Sequence, residues 1–380
     1  MNIGILLPGF SSDENDWAIP VQLNLVRELA RQDSVRVLAL RYPHRRDRYG
    51  VSGADVIALG AAQVRGLRRL RLWAEALLML RRLHREQHFD VLHAMWADET
   101  GLIAAWTGRV LGVPAVVSLA GGELARLPQV DYGLQRSAFS RWIVRQALEG
   151  ADRVLPACAY TERLILAAGY RVDAKRVRRV ALGVELPKEF TAEAQRSTEK
   201  GLPQLRLLHV ASLVGVKDQS MLLRALARLP ETITLDVVGD GPERERLRVL
   251  ARELGVSQRV IFHGAVAHPE MSCFYQQADL HVLPSLHEGF GMVTLEAAAH
   301  GLLTVGTAVG ILPDVPTLGV SVPVGDDTAL AVAIRDLLAD SAALRERGQQ
   351  ARRAVEQGFT ITHTAAALRE VYREARPQRD

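Results

Sequence analysis

The sequence predicts an α/β fold built from two doubly wound parallel-sheet domains. Three observations predict it. The chain has 380 residues, more than one hydrophobic core usually spans. Short apolar, β-branched runs alternate with amphipathic stretches from end to end. One polar segment with two prolines and no apolar periodicity, near 185–204, separates the two halves.

In the first half, strands are expected at 3–7, 35–40, 56–59, 89–93, 115–119, 153–156 and 178–182. In the second half they are expected at 205–212, 232–238, 260–262, 280–283, 302–306 and 320–323. Helical patterns of ten or so residues fill most gaps, such as 21–31, 65–87 and 221–229. The strand runs are continuous in Val, Ile and Leu rather than alternating, which suits strands covered on both faces. The expected division is a first domain at 1–185, a linker at 186–204 and a second domain at 205–358. The C-terminal helix, 359–380, stands apart as an element able to return to the first domain. Such domains facing one another place a ligand cleft at the carboxyl ends of their sheets.

Composition narrows the function. Apolar residues make up 48% and charged residues 24%, which excludes disordered, collagen-like and coiled-coil classes. The opening MNIGILLPGF has no basic start, and Pro8-Gly9 ends its apolar run, so no secretory signal is read there. The longest uncharged stretch, 297–313, is interrupted by three glycines and reads as helix end, strand and turn. Cys158 and Cys273 fit no metal spacing and are expected as buried thiols of a reducing compartment. The expectation is a cytoplasmic chain.

Residues 1–190 hold 27 basic against 20 acidic side chains, and residues 191–380 hold 20 against 23. The halves should therefore meet different partners. Only four basic residues are lysines, so a lysine inside a motif asks for a reason. Nucleic acid is a poor partner: the 20 aromatic residues are not interleaved with basic ones in a stacking pattern.

The densest constellation is PSLHEGFGMVTLEAAAHG at 284–301. A strand ends at Leu283, a turn Glu288-Gly289-Phe290-Gly291 follows, and a helix starts near Met292. Glycines let a ligand approach the backbone, and the helix N-terminus favours an anion such as phosphate. Glu296 lies two helical turns beyond Glu288, where a carboxylate can accept a pair of sugar or ribose hydroxyls. Alone, Glu288 would read as a solvated loop acid and Glu296 as a helix-surface residue. It is the Gly-x-Gly turn between them that joins them. Lys217, one of the scarce lysines, ends the loop after the 205–212 strand, and its compact ammonium suits a diphosphate. Asp218 is placed to cap the next helix. The turn Val238-Gly239-Asp240-Gly241-Pro242 is weaker, because Gly-x-Gly turns recur for packing reasons alone.

Together these residues resemble the donor-binding half of the retaining glycosyltransferases of family 4, which have the GT-B fold. The matching pieces, in order, are 210–217, 238–242, Phe262-His263-Gly264, Ala278-Asp279 and Glu288 to Glu296 with its Gly-Phe-Gly turn. The similarity spans about 205–340. The first half resembles the family's acceptor domain more loosely, through Pro8-Gly9, Asp90-Val91-Leu92-His93 and Gly112-Val113-Pro114.

The resemblance implies transfer of a sugar from a nucleotide-diphosphate sugar to an acceptor hydroxyl, with retention. Glu288 and Lys217 would be catalytic, Glu288 on the sugar and Lys217 on the diphosphate. Glu296 would bind the ribose, the amides of Phe290, Gly291, Met292 and Val293 the sugar and phosphates, and Gly239 and His263 would frame the base. No cofactor and no metal is expected, since lysine, amides and a helix dipole supply the stabilising charge. On the acceptor side stand Gly9, His93, Gly121 and Glu123. Polysaccharide, lipid-linked and small-molecule acceptors remain open.

Three positions depart from the family pattern. Ser212 stands where the family places a diphosphate-binding arginine. The turn after the 115–119 strand is Ala120-Gly121-Gly122-Glu123, without the family's histidine. The loops after Pro8 and at 310–314 are short of glycine. Ser212 leaves as one alternative a catalytically weakened nucleotide-sugar-binding protein; within the fold, a nucleotide-sugar epimerase is the rival enzyme. His287 and His300 read as structural. The 65–85 helix carries seven arginines and one acid among leucines, so it either packs as an ordinary domain helix or rests on an anionic membrane.

Overall fold

The computed structural model describes residues 1–17, 19–61, 66–119, 121–187 and 205–376. The chain forms two compact units. The first comprises Met1–Arg126, Gly133–Leu182 and Ile361–Asp380; the second comprises Leu127–Tyr132 and Gly183–Thr360. Of the expected linker, residues 188–204 lie outside the described residues.

In the first unit, β1 (Asn2–Gly9), α1 (Pro20–Ala30), β2 (Ser34–Tyr42), β3 (Asp47–Val51) and β4 (Ala54–Ala58) are followed by α2 (Leu67–Glu86). Then come β5 (Val91–Ala94), α3 (Glu99–Leu111), β6 (Ala115–Leu119), α4 (Ala138–Gly150), β7 (Arg153–Pro156) and α5 (Ala159–Ala167). The sheet order is β3-β4-β2-β1-β5-β6-β7. All pairings are parallel except β3 with β4. The aliphatic residues inside β1, β2 and β6 are buried, as their apolar runs require of strands covered on both sides.

Two strand expectations need correction. The sequence reading missed β3, whose DRYGV is largely exposed and carries no apolar run. It forms because Ser52 and Gly53 both take positive φ, the conformation of a tight hairpin turn back into β4. The stretch 178–182 is not a strand; the Val154 to Val177 bridge, the Arg178 N–H on Val154 O and the Val180 N–H on Pro156 O tie it to the sheet edge. Arg178 and Arg179 are both exposed there, so the segment has no second face to bury.

The second unit contains β8 (Leu205–Val210), α6 (Gln219–Ala227), β9 (Ile233–Val238), α7 (Arg244–Glu253), β10 (Val260–Gly264) and α8 (Met271–Gln277). It continues through β11 (Leu280–Leu283), α9 (Met292–Ala299), β12 (Thr304–Thr307), β13 (Gly319–Val322), α10 (Asp327–Leu338) and α11 (Ser341–Gly358). Its sheet is parallel throughout, in the order β10-β9-β8-β11-β12-β13.

The last helix, α12 (Ile361–Ala375), belongs to the first unit. Leu368, Val371 and Tyr372 join the β1 and α1 core, and Arg369 donates to Asp33 at 2.7 Å. Asp33 also binds the N-terminal ammonium at 2.8 Å. Burial works against its charge, but these two cations hold its carboxyl below the ordinary value. A further difference from the expected boundaries is the short piece 127–132, which packs with the second unit although it interrupts the first. Cys158 is buried, as expected, whereas Cys273 on α8 is exposed, contrary to expectation. Among the described residues no helix is long and apolar enough to cross a membrane.

Candidate active site

Strand order locates the site. In the second sheet the chain runs β8, β9, β10 in one direction, then crosses back to lay β11, β12 and β13 on the other side of β8. The loops after β8 and β11 therefore diverge and leave a crevice, where open α/β sheets bind ligands. Lys217 ends the first loop and Glu288 lies on the second. Their side chains meet: Lys217 Nζ stands 2.6 Å from Glu288 Oε1. Ser285 Oγ donates to the same oxygen at 2.6 Å. The loops are also joined through the backbone, with Leu286 N–H on Val216 O at 2.8 Å.

Glu288 is 8% exposed, and glycines let it sit there. Gly310, at φ +64°, passes behind it; a Cβ at that position would lie 2.4 Å from Phe290 O and 2.9 Å from Glu288 Cβ. The Phe290 side chain is buried and its carbonyl accepts Ile311 N–H at 2.7 Å, which anchors the turn from below. Gly291 takes φ +92° and starts α9 without a side-chain cap or an acid in the first turn. The α9 amides at Met292 and Val293 thus lead the positive end of the helix beside the Lys217–Glu288 pair.

Glu296 is on α9 and partly exposed. Tyr275 Oη donates to its Oε2 at 2.8 Å. Burial and the adjacent carboxylate raise the Tyr275 hydroxyl well above its ordinary value, so it stays a neutral donor that fixes Glu296. His300 stacks on Tyr275 at 4.9 Å and bonds Glu296 O through Nδ1. The ring of His287 packs against Tyr132, centroids 6.1 Å apart. Tyr132 comes from the 127–132 piece, and Val130 of the same piece leaves no room for a Cβ at Gly215. No local sequence signal marks this strap, which contains Asp131 at φ +53° and is followed by Gly133 at φ +100°.

The loop after β8 has its own supports. Leu213 N–H bonds Asp240 O, and Gly239 at φ +129° clears Ala211 O, from which a Cβ would lie 2.0 Å. Gly239 therefore shapes the loop that carries Lys217. Asp218 caps α6 through Met221 N–H. Ser212 is exposed, and its carbonyl accepts Gln219 Nε2 at 3.1 Å. Beneath the loop His209 is buried, with Nδ1 on Val282 O at 2.8 Å. Burial and then the Lys217 charge push its pKa down to about 4, although the carbonyl bond opposes this, so it is neutral. His263 on β10 bonds Asp236 at 2.6 Å and sits edge-on to Phe274.

The acceptor-side expectations fare differently. The first sheet has its own divergence between β1 and β5. Gly9 stands where β1 shifts register against β2, and a Cβ there would lie 2.8 Å from Tyr42 Cβ. His93 does not offer a nitrogen to a ligand. It is fully buried, with Nδ1 2.6 Å from Tyr372 Oη and Nε2 2.8 Å from Ser118 Oγ. Burial lowers its pKa to about 3, so it is a neutral link between β5, β6 and α12. Glu123 is 2% exposed, and its Oε2 accepts the Gly121 N–H at 2.8 Å. It closes its own turn instead of presenting an open carboxylate. Both corrections share a cause: the polar groups are spent within the unit.

A family model for glycosyl transferases group 1 matches residues 190–354, and one for a glycosyl transferase 4-like domain matches residues 19–183. The D-inositol 3-phosphate glycosyltransferase of Xylanimonas cellulosilytica is 31% identical over 314 residues, 77% of this chain and 74% of the relative. This chain is a family 4 glycosyltransferase. Part of the transferase is also similar to the glycogen synthase of Mycobacterium tuberculosis, 35% identical over 176 residues, 45% of this chain and 42% of that one.

Solved structures agree on the fold of the transferase, which is GT-B. The sucrose-phosphate synthase of Thermosynechococcus elongatus superposes with a TM-score of 0.81 at 22% identity, over 98% of this chain and 99% of that one. The Anabaena protein HepE, solved in complex with UDP and glucose, gives 0.75 at 19% identity over 97% and 98%.

Proposed function

We propose that the transferase moves a sugar from a nucleoside-diphosphate donor to an acceptor hydroxyl with retention at the anomeric carbon. The observation that carries this is the Lys217–Glu288 pair at the strand-order crevice, beside the start of α9. As the bond from the anomeric carbon to the diphosphate oxygen breaks, negative charge grows on the leaving diphosphate. Lys217 and the α9 amides stabilise it without calling on a metal. Positive charge grows on the sugar, and the Glu288 carboxylate orients that sugar through its hydroxyls. Attack from the same face delivers the acceptor oxygen to the anomeric carbon, and the acceptor proton passes to the departing diphosphate. Glu296, fixed by Tyr275, offers its remaining oxygen to the ribose.

The donor assignment gains support from relatives: HepE was solved with UDP-glucose, and the inositol-phosphate enzymes are named glycosyltransferases. The expected test is hydrolysis of UDP-glucose, GDP-mannose or ADP-glucose by the purified protein, abolished in Glu288→Ala. Tight binding of the same sugars with no turnover identifies instead the weakened binding protein that Ser212 allows.

The role we assign is synthesis of a glycan or glycolipid at the inner face of a membrane, with α2 as the contact. Leu70 and Leu78 are 53% and 62% exposed among Arg68, Arg71, Arg81, Arg82 and Arg85, while Trp73 and Leu80 are buried. Arg65 of the same pattern lies outside the described residues. A helix with both a buried stripe and an outward apolar and basic stripe suits an anionic surface. Co-flotation with phosphatidylglycerol liposomes at low salt, lost in Leu78→Glu, is the expected result; absence of co-flotation disposes of the membrane role.

A further inference from the structure

Oε1 of Glu288 serves two donors at once. Lys217 Nζ and Ser285 Oγ each stand 2.6 Å from it. The donors differ in freedom. The Lys217 side chain is 24% exposed on a flexible four-carbon stem, whereas Ser285 is fully buried between β11 and the Glu288 turn. The Ser285 backbone is fixed from both sides: its carbonyl accepts Thr307 Oγ1 from the end of β12, and the next amide, Leu286 N–H, bonds Val216 O. Gly310 packs close behind Glu288, so that a Cβ added there would lie 2.9 Å from the Glu288 Cβ.

A diphosphate carries more negative charge than one carboxylate, so it draws the mobile ammonium toward itself. Glu288 is then left 8% exposed with one fewer cation, a state a carboxylate tolerates only while hydrogen-bonded. We propose that Ser285 is a positioning residue that holds Glu288 in place while Lys217 turns from Glu288 to the donor's diphosphate. This rests on the donor reading above. On this account Ser285 matters little to diphosphate binding and much to turnover, because its partner is the group that meets the sugar.

The experiment separates those two quantities. UDP, GDP and ADP are titrated calorimetrically, and hydrolysis of UDP-glucose, GDP-mannose and ADP-glucose is measured, for wild type, Ser285→Ala and Thr307→Val. The expected result for Ser285→Ala is a diphosphate Kd within about twofold of wild type and a kcat lower by about 10- to 100-fold, the loss of one hydrogen bond to a charged group. Thr307→Val conserves shape, removes the bond to the Ser285 carbonyl, and should show the same split at smaller size. If Ser285→Ala melts too low to assay, the split in Thr307→Val decides alone. An unchanged kcat overturns the proposal, as does a kcat and a Kd that worsen by the same factor. A wild type that binds none of the three diphosphates removes the donor reading itself, a result distinct from failure of the variants.

Discussion

The two units share a topology and use it differently. Each sheet has a point where strand order reverses, between β1 and β5 in the first and between β8 and β11 in the second. In the second unit a lysine and a glutamate from the two diverging loops meet at that point, beside an uncapped helix start. In the first unit the polar residues nearest the reversal bind their own chain: His93 holds Tyr372 and Ser118, and Glu123 closes on Gly121. A shared fold thus fixes where a crevice lies, and it leaves open which polar side chains meet there.

The strongest way to break this contrast is to remove the cation. Lys217→Ala should weaken nucleoside-diphosphate binding by about 100-fold, close to 3 kcal/mol, as expected for a charge-assisted contact in a partly dry site. Calorimetry with UDP, GDP and ADP reads it, and unchanged affinity would sink the assignment of Lys217. The first unit should respond in the other currency. His93→Leu removes a buried link among β5, β6 and α12 and strands the Tyr372 hydroxyl, at a cost of about 2 kcal/mol of stability. Thermal melting should detect it, while diphosphate binding by the second unit stays at the wild-type value.

A response to pH is common to both units. His93, His209 and His281 are buried, and burial chiefly lowers their pKa values from 6.5 to about 3, about 4 and about 3. In the unfolded chain they protonate near the ordinary value; in the folded chain they resist. A lowered native pKa contributes stability that is complete above pH 6.5 and is lost as pH falls toward 4 and below. Each histidine should cost about 1.4 kcal/mol per pH unit over that window. Melts between pH 7 and pH 4.5 measure it, and a midpoint that does not fall on acidification contradicts neutral burial.

Much of the second unit was legible because its candidate site is built from local patterns. The scarce Lys217, the Gly-Phe-Gly turn and the spacing of Glu288 to Glu296 are all short-range patterns, and each ended on the loop or helix start its neighbours dictated. The acceptor side was harder to read. His93 ends an apolar strand run, which is equally what a buried structural histidine does. Its partner Tyr372 lies 279 positions away in sequence. The strap at 127–132 was hidden for the same reason, since nothing local marks a segment that packs on the unit it interrupts.

Periodicity, glycine placement and the polar break at the domain boundary determined two parallel-sheet units and put charged residues at strand ends, because these features act over a few residues. Tertiary structure decided which of those residues face one another. Lys217 and Glu288 are 71 positions apart and meet only because β11 lies beside β8. His93 is closed off because α12 folds back onto the first sheet. Whether a polar side chain is a tool or a strut depends on which distant groups reach it first.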